Sequence, residues 1–350
     1  MKSALRTIFH LALVIIVAAT IAGCGGSSSS GTSTGLAPGG ASNIYVAQAT
    51  SGVPSTLLQF PVSANGTAPP ASTLTLLPQP NGSNYPLVFD SAGQSYVAAR
   101  NGATAEIGVY SAGSTGATSP VRTILGSNGY TTYFDSPLGL AVDSSSQLYV
   151  LSYETISVYS TTANGFATPI RSITGSLTQL GNSAELNSIA VDTSGNIYVA
   201  ITNTAYSAAT WTILKFSSTA NGNIAPSNVI TATSPVGLHD AYPYLDSFGN
   251  VYIPSEETAG TTITVFAENG TNSLVPTKTI VGTATNLGSP VGLTVDAVGN
   301  IYVMSIVSTT TADTVYVNGY ASTGSGNLAP AVQFTSSNFS AAIISTLAVH

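Results

Sequence analysis

The sequence predicts an all-β chain, a six-bladed β-propeller with four antiparallel strands per blade, and three observations predict it. A tyrosine recurs in one strand-like phrase at Tyr45, Tyr96, Tyr149, Tyr198, Tyr252 and Tyr302, at spacings of 51, 53, 49, 54 and 50 residues. Each unit of ~50 residues carries four short apolar runs separated by Gly, Asn, Ser and Pro, the pattern of one propeller blade. The last phrase, ISTLAVH from Ile344 to His350, stops where the other units run on through a turn into their tyrosine strand.

The elements follow in the order of the phrase. A first strand such as GLTV leads into the turn, as in LNSIAVDTSGNIYV from Leu186 and VGLTVDAVGNIYV from Val291. An aspartate stands six residues before five of the tyrosines, at Asp90, Asp143, Asp192, Asp246 and Asp296. In D-x-x-G-N such a carboxylate bonds turn amides, while Gly195, Gly249 and Gly299 supply the positive φ of a tight hairpin. The second strand carries the tyrosine. A third ends in an aromatic at Phe60, Tyr110, Tyr159, Phe216, Phe266 and Tyr320, and a fourth follows a proline at Pro70, Pro120, Pro169, Pro226, Pro276 and Pro330. The tyrosines and third-strand aromatics are expected to fill the space between twisted blades.

Residues 43–350 are 308 in number, six units of the mean spacing of 51.4. The body begins on a second strand, SNIYV from Ser42, and ends on a first, STLAV from Ser345. The ring is therefore expected to close by pairing the C-terminal strand with the N-terminal blade, which leaves only a short outer edge.

The N-terminus is a separate matter. Lys2 and Arg6 precede an apolar run from Ile8 to Ala22, followed by Gly23 and Cys24, the layout of a secretory signal over residues 1–23. Cys24 is the single cysteine, so an internal disulfide is excluded. Residues 24–42 read as this cysteine and a flexible Gly/Ser linker, and residues 43–350 as the propeller. Removal of the signal leaves 5 basic residues against 14 acidic, a net charge of −9, which speaks against nucleic acid and anionic lipid as partners. Only 6% of the chain is charged and mean hydropathy is +0.32, yet the apolar residues after Cys24 come in strand-length runs, as in a β body surfaced with Ser, Thr and Asn. A monomer is expected.

Two resemblances add to this reading. IAGC, Ile21 to Cys24, resembles a bacterial lipobox, which implies a diacylated (palmitate-type) Cys24 and, with Gly25 following, an outer-membrane lipoprotein of the cell envelope, periplasmic or surface-facing. SPVGLTVDAVGNIYV from Ser289 and SPLGLAVDSSSQLYV from Ser136 resemble NHL-type repeats of six-bladed propellers, over residues 43–350. Those repeats usually continue Tyr-Val-Ala-Asp, whereas this chain places Gln48, Ala99, Ser152, Ile201, Ser255 and Ser305 after its tyrosine strands.

For function, the fold hosts many activities and the sites for chemistry are thin, so the expectation is a surface-tethered binding or scaffold module with no cofactor. The alternative is a metal-dependent hydrolase or lyase resembling gluconolactonase or streptogramin-lyase propellers, and a third reading is a structural envelope component. The enzyme would need inward Glu, Asn, Asp or His on first strands, which read instead GLAV, SIAV, GLTV and TLAV. The body's histidines are His239 and His350 alone, too few for a three-histidine zinc site. His350 stands in the slot of a turn aspartate, and His239 lies beside Asp240 in a unit with three extra residues before its turn.

Eight acids outside the turns (Glu106, Asp135, Glu154, Glu185, Asp240, Glu256, Glu257 and Asp313) fall in or beside loops that a propeller gathers on one face, with Tyr153 and Trp211 among them. The expected ligand-binding set is His239, Asp240, Glu154, Glu256, Tyr153 and Trp211. Its expected partner is cationic or hydroxyl-rich: a divalent cation at the channel mouth, a basic peptide, an envelope protein or a glycan.

Overall fold

In the computed structural model the six units form six four-stranded antiparallel sheets, each ordered from an inner first strand to an outer fourth. The structure describes residues 35–50, 53–77, 86–101, 104–181, 185–203, 210–233, 243–257, 260–268, 274–339 and 344–350. Blade 1 comprises Ile344–Val349, Asn43–Thr50, Val53–Pro61 and Ser72–Thr75; blade 2, Leu87–Phe89, Ser95–Asn101, Thr104–Tyr110 and Arg122–Leu125. Blade 3 comprises Gly139–Val142, Leu148–Ser152, Thr155–Tyr159 and Arg171–Thr174; blade 4, Glu185–Val191, Ile197–Asn203, Thr210–Phe216 and Asn228–Thr233. Blade 5 comprises Tyr244–Leu245, Val251–Glu257, Gly260–Glu268 and Leu274–Val281; blade 6, Ser289–Val295, Ile301–Ser308, Asp313–Tyr320 and Val332–Thr335. First strands of successive blades meet around a central channel.

The chain's two ends share blade 1, as the half-written last phrase predicts. Ile344–Val349 pairs with Asn43–Thr50 in the register Ile44↔Val349 and Val46↔Leu347. The His350 N–H donates to the Asn43 carbonyl at 3.1 Å, repeating across the join the bond from Asp90 N–H to the Gln94 carbonyl in blade 2. The His350 ring stacks on Phe89 at 5.5 Å.

Alternation along the strands sends one set of side chains to each neighbouring blade, so the core is six seams instead of one centre. Tyr149, Leu151, Val199 and Phe216 fill the seam between blades 3 and 4, and Ile44, Phe60, Tyr302 and Phe334 that between blades 6 and 1. Burying one such aromatic contributes about 1.5–3 kcal/mol.

Among the described residues, the outer edges of blades 1, 2, 3, 5 and 6 are not left bare as the sequence suggested. The third-to-fourth connection of a blade lies along the fourth strand of the blade before it, in parallel bridges Leu74↔Gly116, Ile124↔Gly165, Ile173↔Gly222 and Ile280↔Gly326, and Gly66 extends this to Phe334. These glycines sit at φ between 60° and 75°, which an L-residue adopts only with strain. Asn164 and Asn221, one residue earlier, accept the N–H of Thr123 and Ser172 on the covered strand. A covered edge cannot template another chain.

Part of the expected linker also differs from the expectation. Residues 35–41 lie on the turn of blade 6: Ala37 N–H donates to Asn300 Oδ1 at 2.8 Å, and Ala41 N–H to Asp296 Oδ2 at 3.1 Å. Leu36 packs on the seam between blades 6 and 1.

Candidate functional site

Antiparallel blades place the first-to-second and third-to-fourth connections on one face of the ring, the turn face. The second-to-third and fourth-to-first connections form the other, the hairpin face.

On the turn face each aspartate is tied into its turn. Oδ1 of Asp246 accepts the N–H groups of Phe248 and Asn250, both at 2.8 Å, and Oδ2 accepts Asn250 Nδ2 at 2.8 Å and the Tyr252 hydroxyl at 2.9 Å. The hydroxyls of Tyr96, Tyr149, Tyr198 and Tyr302 reach Asp90, Asp143, Asp192 and Asp296 in the same way, at 3.3, 3.1, 3.1 and 3.2 Å. Burial works against the Asp192 charge, but donors from Asn196, Tyr198 and Ser194 outweigh it and hold the carboxyl below its ordinary range. Burial, and then the neighbouring Asp246 charge, pushes the Tyr252 hydroxyl well above the ordinary phenol range.

Cations complete this face. Arg171 donates to the Tyr149 hydroxyl at 2.9 Å and to the Ser218 carbonyl of the next blade at 2.6 Å. Arg122 reaches the Ala163 carbonyl at 2.9 Å, and Lys278 the Ser322 carbonyl at 2.6 Å, each across a seam.

The hairpin face is built differently. Tyr153 and Glu154 form the two-residue turn between Ser152 and Thr155, with Glu154 at φ 57° and Tyr153 64% exposed. Gly181 leaves room for the Glu154 side chain, since a Cβ there would sit 2.9 Å from its carboxyl. Trp211 lies opposite Thr202, and Glu256 opposite Thr261, at the same end of the hairpins of blades 4 and 5. Four of the expected site residues thus stand on hairpins of three consecutive blades. His239, Asp240 and Cys24 lie outside the described residues. Asp135 is exposed and accepts a single bond, from Ser152 Oγ at 3.2 Å.

Glu106 departs from the expected loop set. It is 6% exposed, on the strand face of blade 2 that turns toward blade 1, and burial pushes its carboxyl above the ordinary range.

The channel has a volume of about 720 Å³ and touches all six first strands. Small residues such as Gly139, Ala141, Ala190 and Gly292 line it, with hydroxyls from Ser188, Thr294 and Tyr244. Its carboxylates are Asp135, Asp246 and Asp296, and the last two are already tied by turn amides, an asparagine and a tyrosine each. Among the described residues no three His, Cys, Asp or Glu side chains cluster as metal ligands. The described donors alone do not make a divalent-ion site at the mouth, which needs several oxygens free to converge, and Asp240 lies outside them.

With this geometry in hand, comparison with solved structures supports the fold. A protein of unknown function from Bacteroides caccae superposes with a TM-score of 0.53 at 10% identity, over 88% of this chain and 98% of its own. A protein from Lactobacillus plantarum does so with a TM-score of 0.50 at 13% identity, over 88% and 98%. The Xanthomonas campestris gluconolactonase reaches a TM-score of only 0.34 at 14% identity, over 83% and 86%, too slight a likeness to bear on activity. No protein-family model matches the chain, and no curated protein matches it. The chain is a six-bladed β-propeller, and its chemistry rests on its own residues.

Sequence reading treated the turn aspartates and the tyrosines as separate devices. The structure joins them, and the fixed six-residue spacing was the signal. The Asn-Gly pairs that cover the blade edges were equally visible at Asn65, Asn164 and Asn221, but only the ring shows what lies beneath them.

Proposed function

We propose that this propeller is a lipid-anchored cell-envelope binding module, held through Cys24, whose hairpin face takes a basic polypeptide segment across the channel mouth. One observation carries the reading: the five turn-face aspartates are bound up by the fold, whereas on the hairpin face the described side chains of Asp135, Glu154 and Asp313 are exposed, and Asp135 accepts a single hydroxyl. The positions of Asp135, Glu154, Glu185, Glu256, Glu257 and Asp313 share the hairpin face with one described cation position, Arg100. Spread over several blades, these charges suit an extended cationic partner better than a point ion. Exposed Tyr130 and Tyr153 add amphipathic surface of the kind that binding sites use.

The test is binding of a lysine-rich peptide to the mature protein across a salt series. Changing Asp135, Glu154 and Glu256 together to the amides is expected to weaken binding roughly tenfold and flatten its salt dependence, since exposed pairs contribute ~0.5 kcal/mol each. Glu268→Gln on the turn face should leave binding as it is. Equal affinity in the triple variant would remove the reading. For the anchor, Cys24→Ser should abolish incorporation of labelled fatty acid.

A further inference from the structure

We infer that the propeller stands on the bilayer with its turn face toward the lipid and its hairpin face outward, the docked stretch of residues 35–41 fixing that orientation. This rests on the reading of Cys24 as the lipid anchor. The path of the chain is the first argument. Gly40 lies so close against the blade 6 turn that a Cβ there would stand 2.2 Å from Asp296 Oδ2 and 2.7 Å from Asn300 Nδ2. Asn300 grips Ala37 twice, accepting its N–H at 2.8 Å and donating to its carbonyl at 3.2 Å. The chain therefore leaves the ring from its turn face.

Ten residues separate Cys24 from Gly35. Fully extended, that interval spans at most about 36–40 Å. Bringing the hairpin face to the bilayer would take the chain across four strands spaced ~4.8 Å apart, and then down strands of seven to nine residues at ~3.3 Å each, close to 40 Å in all. Only a fully stretched tether reaches that far. With the turn face down it need not stretch.

Charge agrees with the path. The turn face carries five tied aspartates and Glu268 against Arg122, Arg171, Lys215 and Lys278. It is near balance, and its Asp192 charge is shared among turn donors. The hairpin face carries its acids with Arg100 alone and would be repelled by an anionic lipid surface. Of the net charge of −9, seven units thus fall to the outward side by sequence position and two to the near side, so the total overstates what the near side offers. Apolar side chains add to the fit: among the described residues Val121, Ile170, Phe248 and Val275 are exposed on the turn face, while the hairpin face exposes Leu177, Val291 and two tyrosines.

The experiment uses the full mature lipoprotein, in which acylation blocks Cys24 and an introduced cysteine is the only free thiol. Phe248→Cys and Ile170→Cys on the turn face, and Tyr130→Cys on the hairpin face, are labelled with a fluorophore. Each protein is reconstituted into phosphatidylethanolamine vesicles with a minority of phosphatidylglycerol and head-group spin-labelled lipid. Quenching at 248 and 170 is expected to exceed that at 130 several-fold, and Gly40→Val, which cannot dock the tether, should reduce the difference. Equal quenching, or more at 130, in vesicle-bound protein overturns the orientation and leaves the anchor standing. A one-sided pattern that survives Gly40→Val overturns the docked stretch as its cause. Protein that does not stay with the vesicles overturns the anchor and the orientation together.

Discussion

Asp192 and Asp135 are the same residue on opposite faces of one ring, and they live in different chemistry. Asp192 accepts four donors: the N–H groups of Ser194 and Asn196 at 2.9 and 2.8 Å, Asn196 Nδ2 at 2.8 Å, and the Tyr198 hydroxyl at 3.1 Å. Asp135 accepts one hydroxyl and faces solvent. A carboxylate with four donors is part of the fold, because removing it strands the donors. A carboxylate with one donor retains lone pairs for a partner. Among the described side chains, the two faces thus differ in how many acids remain unengaged.

The comparison breaks most visibly if the tied member is removed. Asp192→Ala leaves a buried tyrosine hydroxyl and turn amides without their acceptor, and is expected to cost roughly 2–3 kcal/mol at neutral pH, read as the urea midpoint. Asp135→Asn and Glu154→Gln should stay within about 0.5 kcal/mol. The pH dependence has a definite sign. The folded carboxyl of Asp192 titrates below its unfolded value of 3.8, so its contribution is complete above about pH 4 and fades as pH falls through the folded value. The penalty of Asp192→Ala should shrink accordingly in acid. A hairpin-face substitution as costly as Asp192→Ala would mean that those acids, too, are structural.

A smaller effect of opposite direction tests whether the repeats of the turn face are equivalent. In four turns the residue at left-handed φ is glycine: Gly93 at 78°, Gly195 at 79°, Gly249 at 80° and Gly299 at 86°. Blade 3 has Ser146 there, at φ 58°. A side chain at that φ costs about 1–2 kcal/mol, partly offset by the greater unfolded-state freedom of glycine. Ser146→Gly should therefore stabilise by up to about 1 kcal/mol, seen as a higher melting midpoint with no change in peptide binding.

The fold was legible because its devices are local and repeated. The aspartate-to-tyrosine interval and the split blade survive in the linear chain, since each is set by a turn or a strand of fixed length; the proline precedes the fourth strand in five blades, whereas Pro276 falls inside Leu274–Val281, opposite Phe266. The candidate site was legible only as a face. Tyr153, Glu154, Trp211 and Glu256 could be assigned to hairpins from their place after second strands, and that assignment needs only antiparallel order. Burial was not legible. Glu106 lies two residues into its strand, and alternation alone does not say that this side faces the neighbouring blade. Nor did the Gly/Ser-rich stretch before Asn43 announce its docking, because the partner atoms on Asp296 and Asn300 lie more than 250 residues away in sequence.

Glu106 is the member of the hairpin-face set that fits neither class, and it yields the smallest and sharpest test. It sits opposite Ala99 and Leu125, with Gly108 and Tyr110 on the same side of the strand, and burial raises its carboxyl above the value of 4.5. A raised folded value means that the folded state binds the proton more readily than the unfolded chain. Whatever the protonated side chain contributes is present in full below about pH 4.5 and is lost as pH rises through the folded value. Glu106→Gln keeps the shape and removes the charge, so it should raise the melting midpoint modestly near neutral pH, and the gain should close toward pH 4. A variant that is less stable than the parent at pH 8 would show that the Glu106 carboxylate holds donors across the seam between blades 1 and 2. It would then belong with Asp192 as a structural charge, and the hairpin face would count one acid fewer for any partner.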